Sequence, residues 1–280
     1  MAPSRATRMP LAMPALSTGA SLRVTRLGSV TLARLARAPE EAASVHSVFE
    51  RAVNLRGHDG HLLTLQGPGL LAAPFAVALS ALPSMSALPP GTIIRCSALD
   101  WTQAERVSLE APAGRLAFRA DALPTMPGAA ALRAGHGLRA RRALADSLVE
   151  RNTGAFAAAA TELIGLGEGL TPAGDDCVVG ALAAIHRLAP GWLEPHAVRA
   201  VAEAARARTT DVARDFLLEA LAGRFAEPVL AILRAPSAAR ATAAARRLLA
   251  MGATSGADML DGLRLACRVL AGRVSPLPIQ

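Results

Sequence analysis

The residues best equipped for chemistry in this 280-residue chain stand in one run, GLGEGLTPAGDD at positions 165–176. Thr171 is placed to cap a helix, Pro172 suits the first helical position, and the residues that follow are small. Gly165, Gly167, Gly169 and Gly174 permit positive φ and close approach of a ligand to the backbone. A helix N-terminus with bare amides attracts small anions. The plain alternative is a well-capped helix whose dipole Asp175 and Asp176 each stabilise by ~0.3–1 kcal/mol. Four glycines in ten residues exceed what capping needs, because glycine weakens structure wherever it is not required. Two adjacent carboxylates also repel each other, and any bound anion, unless a cation sits between them. Mg²⁺ held by one or two carboxylates and a substrate phosphate answers both difficulties.

A near-echo follows at 252–258, GATSGAD. Aligning Thr254 with Thr171 sets Asp258 opposite Asp175, each one turn into an apolar helix. Two such helix starts can face one ligand, although a chain so rich in Gly, Ala and Ser also produces such echoes by chance. Between them lies RTTD at 208–211, where one helix ends and another begins. Arg208 has the fork geometry to hold a carboxylate or phosphate, or stays solvated as one more arginine on a basic chain. The candidate catalytic residues are Asp175, Asp176 and Arg208. The candidate metal ligands are Asp175, Asp176 and Asp258. Anion-binding candidates are Gly165, Gly167, Gly169, Thr171 and Gly174 on the first loop, Thr209 and Thr210 at the junction, and Thr254, Ser255 and Gly256 on the echo.

Other groups are weaker. His58 and His61 bracket a Gly/Asp turn without a further ligand, which favours a surface hairpin over a metal site. His186 falls near a helix end. Cys177 follows the acid pair at a helix start, where its thiol could be activated, but a small buried side chain is the simpler reading. No nucleophile elbow, dinucleotide fingerprint or histidine-zinc pair is present. Lysine is absent altogether, which excludes Schiff-base chemistry and a Walker-type phosphate loop.

The formal net charge is +8. Its arginines are spread through helical patterns without interleaved aromatics, which argues against nucleic acid and suits a small anionic substrate. Three scattered cysteines fit neither a zinc spacing nor a disulfide framework and imply a reducing, cytoplasmic setting. Residues 1–20 are basic and lack acids; without an apolar core or cleavage site they read as a disordered extension. The charge-free stretch 70–88 contains two prolines and much alanine, so a buried strand and a short helix explain it better than a membrane span.

The pattern along the chain predicts an α+β protein: a smaller β-rich N-terminal region followed by a compact, mostly α-helical C-terminal domain. Strands are expected around 53–55 and 62–65, either side of the turn 56–60, and again at 91–97, 106–110 and 115–118. Residues 40–52 suit helix or strand equally. The domains expected are 21–122 (β-rich), a linker 123–137 with Pro and Gly, a helical domain 138–272 and a tail 273–280. Helices are expected at 138–151, 155–164, 172–188, 195–207, 212–221, 228–234, 237–251 and 255–271, joined by short loops.

The loop LGEGLTPAGDD closely resembles the signature of the AllH-like proteins, a family named for one subunit of bacterial oxamate carbamoyltransferase. Supporting blocks are FERAVNL at 49–55, the Gly67-Pro68 break, Arg208-Thr209-Thr210 before a helix, and GATSGAD at 252–258. The resemblance runs roughly from Val45 to Ala271. It departs where a serine is expected after Thr210, since Asp211 and Ala213 stand there. The resemblance implies a part in allantoin (purine nitrogen) catabolism, with oxalurate and phosphate converted to oxamate and carbamoyl phosphate by this chain and companion subunits. In that reading the 167–174 amides and Arg208 hold the anion while Asp175 and Asp176 bind Mg²⁺. Two other readings stand beside it: a non-catalytic assembly or regulatory subunit, and a Mg²⁺-dependent hydrolase of a phosphate or ribosyl compound.

Overall fold

A computed structural model describes residues 21–37, 41–70, 72–84, 88–125 and 129–272. The expected extension at 1–20 and tail at 273–280 lie outside the described residues. The described residues fall into two compact units: one from within 1–27, 31–70 and 76–106, the other from 28–30, 71–75 and 107–280.

The first unit is a sheet. Its strands are β1 (Leu22–Gly28), β2 (Ala42–Val48), β3 (Ala52–Arg56), β4 (Leu62–Gln66), β5 (Ala76–Leu79), β6 (Ile93–Arg95), β7 (Leu99–Asp100) and β8 (Glu105–Val107), with helix α1 (Ser29–Arg37) after β1. They run in the order β6-β2-β3-β4-β5-β1-β7, and β8 also pairs with β1. Along that path neighbours are antiparallel except β4 with β5 and β1 with β7, which are parallel. The ambiguous stretch 40–52 resolves as strand because β2 gains partners on both sides, β3 and β6, which a helix would forfeit. Val53, Leu55, Leu65, Val77 and Leu79 form the core. The expected hairpin at 56–60 is present: the Gly57 amide donates to the His61 carbonyl at 3.0 Å, and Gly60 takes a positive φ.

Three expectations fail here. No helix forms at 80–84 or at Leu88, the described residues of the expected stretch after β5, where Pro83 disfavours a helical turn; 85–87 lie outside the described residues. Residues 115–118 are not a strand: the Arg115 carbonyl accepts from the Arg187 guanidinium instead of a neighbouring strand. The expected strand 106–110 shrinks to the end of β8 and a single bridge from Glu110 to Arg224.

The second unit is helical: α2 (Ala130–Arg133), α3 (Gly135–Glu150), α4 (Thr153–Leu163), α5 (Ala173–Leu188), α6 (Pro195–Arg208), α7 (Asp211–Leu221), α8 (Glu227–Leu233), α9 (Ala238–Leu249) and α10 (Ser255–Ala271). Helix α5 is the axis, with every residue from Ala173 to Ile185 buried. It packs closest on α10, and glycine makes that possible. A Cβ on Gly180 would stand 2.0 Å from the Met259 carbonyl oxygen, and one on Gly262 would stand 1.9 Å from that of Cys177. Elsewhere the sequence sets its own helix starts, as where the Asn152 side chain accepts from the Ala155 amide at 2.9 Å. Among the described residues no helix is long and apolar enough to cross a membrane. The fold class is α+β, as the sequence pattern predicts.

Candidate functional site

The loop 165–172 and the first turns of α5 and α10 meet in the helical unit. Helix α5 begins one residue later than expected: Pro172 takes the capping position, and no side chain caps it. Thr171 does something else, because its hydroxyl lies 2.6 Å from that of Ser255, joining the two helix starts. Thr254 likewise stands at the cap of α10 without a capping hydrogen bond. The competing hydroxyl contact has won over the local cap.

The glycines divide by purpose. A Cβ on Gly165 would lie 2.1 Å from the Arg208 carbonyl oxygen, and one on Gly174 would lie 1.9 Å from that of Leu163. One on Gly167, at φ +121, would meet the Ala173 amide nitrogen at 2.7 Å, and one on Gly256 the Leu248 oxygen at 1.9 Å. These four let backbone lie on backbone. The Gly174 amide is also committed, donating to the Leu166 carbonyl at 2.9 Å. Gly169, at φ +90, has nothing within 4 Å of its Cβ position and alone among the five faces open space.

Three carboxylates are buried beneath the loop. Asp175 is 1 % exposed; its Oδ2 accepts from the Thr209 hydroxyl at 2.8 Å, and both its oxygens lie 3.2–3.3 Å from the Gly165 amide. Burial pushes its carboxyl up to about 6, against the pull of those donors. Asp176 is also 1 % exposed, and its Oδ2 has no partner. Burial pushes it well above the usual carboxylate range, the charges of Asp258 and Asp175 add to this, and the Ser255 and Thr171 hydroxyls pull against it. Asp258, fully buried, accepts from the Ala129 amide through Oδ1 at 2.7 Å, while its Oδ2 is unpartnered. Burial raises it too. An unpaired buried carboxylate is expensive, so two such oxygens in one neighbourhood call for a proton or a cation.

Around this centre the remaining candidates take distinct places. Thr210 caps α7, accepting from the Ala213 amide at 3.2 Å, and donates to the Leu170 carbonyl, which fixes the loop. Asp211 pairs with Arg214 at 2.6 Å. Arg208 ends α6 with its side chain exposed, while its carbonyl packs under Gly165. Cys177 is fully buried and its thiol is pushed up by burial, so it is a packing residue; all three cysteines are free and buried. His58 pairs with Glu41 at 2.9 Å. Among the described residues no group of three or more His, Cys, Asp or Glu side chains is placed to hold a metal ion.

Sequence reading missed the Ala129 amide on Asp258 and the bidentate ion pair of Arg141 with Asp261, at 2.5 and 2.6 Å, one turn along α10. Neither has a local signal, since the partners lie more than a hundred positions apart.

The family of the oxamate carbamoyltransferase subunit AllH matches residues 163–267, and the AllH family N-terminal domain matches residues 18–123. The chain belongs to the AllH family. The AllH match runs from the end of α4 through most of α10 and so takes in every candidate residue from Gly165 to Asp258. The AllH N-terminal domain takes in the described strands β1 to β8. A family described as one subunit of an enzyme implies companion subunits. No solved structure matches the chain.

Proposed function

We propose that this chain works in an oxamate carbamoyltransferase that turns oxalurate and phosphate into oxamate and carbamoyl phosphate, in the breakdown of allantoin, in the cytoplasm and with companion subunits. The observation that carries the reading is the pair of buried, unpartnered oxygens, Asp176 Oδ2 and Asp258 Oδ2, at the starts of two helices. Mg²⁺ commonly takes one or two carboxylates and completes its shell with water and substrate oxygens, so it needs no cluster of three acids. Asp176 and Asp258 would hold it, and bound there it would neutralise the carboxylates and draw a phosphate or carboxylate oxygen into the site.

The chain's own groups then divide the work. Asp175, with its oxygens engaged by Thr209 and Gly165, positions the loop and the first turn of α5. The open stretch at Gly169 and the helix starts of α5 and α10 offer amides and dipoles to a small anion. Arg208, exposed beside the loop, supplies the countercharge that a carbamoyl phosphate or oxalurate requires. Thr171 and Ser255 keep the two helix starts in register.

Reconstitution tests the reading. Chain and companion subunits together should release oxamate from oxalurate and phosphate, and Asp176→Asn in this chain should lower that rate by at least about a hundredfold with the complex still assembled. Full activity in the Asp176→Asn complex would overturn it.

A further inference from the structure

We propose that α3 and α4 form a docking face for a second copy of this chain, related to the first by a two-fold axis near Ala143. A groove of about 900 Å³ runs along these two helices, with the start of α6 at its edge. On α3 the exposed residues facing it are His136, Arg139, Ala143, Asp146 and Glu150. Their spacing alternates three and four, which makes a straight seam along a helix and is the spacing by which helices pack side by side. Ala143 at the centre of the seam and Ala158 on the facing part of α4 are small and exposed, so another helix can come close.

The charges on this seam are arranged against the helix that carries them. Helix α3 has no acid in its first turn and no base in its last, while His136 and Arg139 stand near its start and Asp146 and Glu150 near its end. The helix dipole favours the reverse. His136 is compensated within the chain by Glu162, at 3.0 Å. Arg139, Asp146 and Glu150 have no such compensation among the described residues.

A second α3 laid antiparallel across the first supplies it. With Ala143 opposite Ala143, Arg139 falls beside Asp146 of the other copy, His136 falls opposite Glu150, and each contact is made twice. This is the self-complementarity that a two-fold interface requires. The two α3–α4 pairs then pack as a four-helix bundle. A companion subunit would need an acid-base pattern of its own to match; a second copy carries the matching pattern already.

Light scattering of the purified full-length chain at micromolar concentration should give twice the monomer mass. Arg139→Glu and Asp146→Arg should each weaken the dimer about tenfold or more, and the two together should restore it to within about threefold of the starting protein. Ala143→Cys should cross-link to its own counterpart on mild oxidation, since Cys96, Cys177 and Cys267 are buried and stay silent. A monomer, a dimer indifferent to Ala143→Arg, or a face whose substitutions release only a companion subunit would each overturn the proposal.

Discussion

The Thr209 hydroxyl donates to the Asp175 carboxylate at 2.8 Å, tying the first turn of α5 to the junction of α6 and α7. The same carboxylate holds the Gly165 amide, so one side chain fastens both ends of the candidate site. Thr209→Val keeps the volume and removes the donor. It should cost about 1–3 kcal/mol in urea unfolding, the range for stripping a partner from a buried polar group. An unchanged midpoint would show that the clasp contributes nothing.

The glycines make a graded prediction. Gly174→Ala puts a Cβ 1.9 Å from a carbonyl oxygen in the middle of packed helices and should destabilise by about 3 kcal/mol or more. Gly169→Ala meets open space, and its cost is the positive φ alone, about 1–2 kcal/mol. Unfolding both variants in denaturant checks the order. If Gly169→Ala were the worse of the two, the division of the loop into packing and open glycines would be wrong.

Arg208 separates binding from stability. Its side chain is exposed at the end of α6, so Arg208→Ala should leave the unfolding free energy within about 0.5 kcal/mol. The same substitution should weaken the binding of carbamoyl phosphate about tenfold, by calorimetry. Unaltered binding would remove Arg208 from the site.

The buried acids set the pH response. In the folded chain Asp175 keeps its proton up to about pH 6, whereas its ordinary value is 3.8. The folded state therefore binds more protons between these values, and stability falls as pH rises through them. Asp176 and Asp258 are raised as well and act in the same direction. The Asp175 share is on the order of 2–3 kcal/mol, present below about pH 4 and lost above about pH 6. Without divalent cations the thermal midpoint should be higher at pH 5 than at pH 8, and Asp175→Asn should reduce the difference while Asp176 and Asp258 keep the rest. A midpoint that rises from pH 5 to pH 8 would contradict the burial of these three acids in neutral form.

Much of the fold was legible because the helical unit carries a strong apolar period and short loops. Each of the eight expected helices, from 138–151 to 255–271, is present. Strand β2 was ambiguous because Val45 and Val48 satisfy either period, and only its two partners decide it. Strand β1 and helix α1 drew no expectation, since Arg23, Arg26, Arg34 and Arg37 interrupt the apolar pattern that would mark them. At the site, residue types pointed to Asp175, Asp176 and Asp258, and the family resemblance followed from the same loop. What single residues do there was not legible. Thr171 looked like a cap and is a bridge to Ser255, 84 positions away. Gly174 looked like a ligand contact and instead makes room for Leu163. Both depend on contacts between distant segments.

In the proposed function Asp176 and Asp258 would hold a divalent cation, which in turn would draw in an anion. Thermal unfolding of the chain at pH 8, with and without Mg²⁺ and carbamoyl phosphate, tests it most directly. Each at a hundred times its dissociation constant should add about 2.7 kcal/mol of stability, a shift of several degrees. Mg²⁺ alone should give a shift, Mg²⁺ with carbamoyl phosphate a larger one, and Asp176→Asn should show neither. An equal shift in wild type and Asp176→Asn, or none in either, would contradict it.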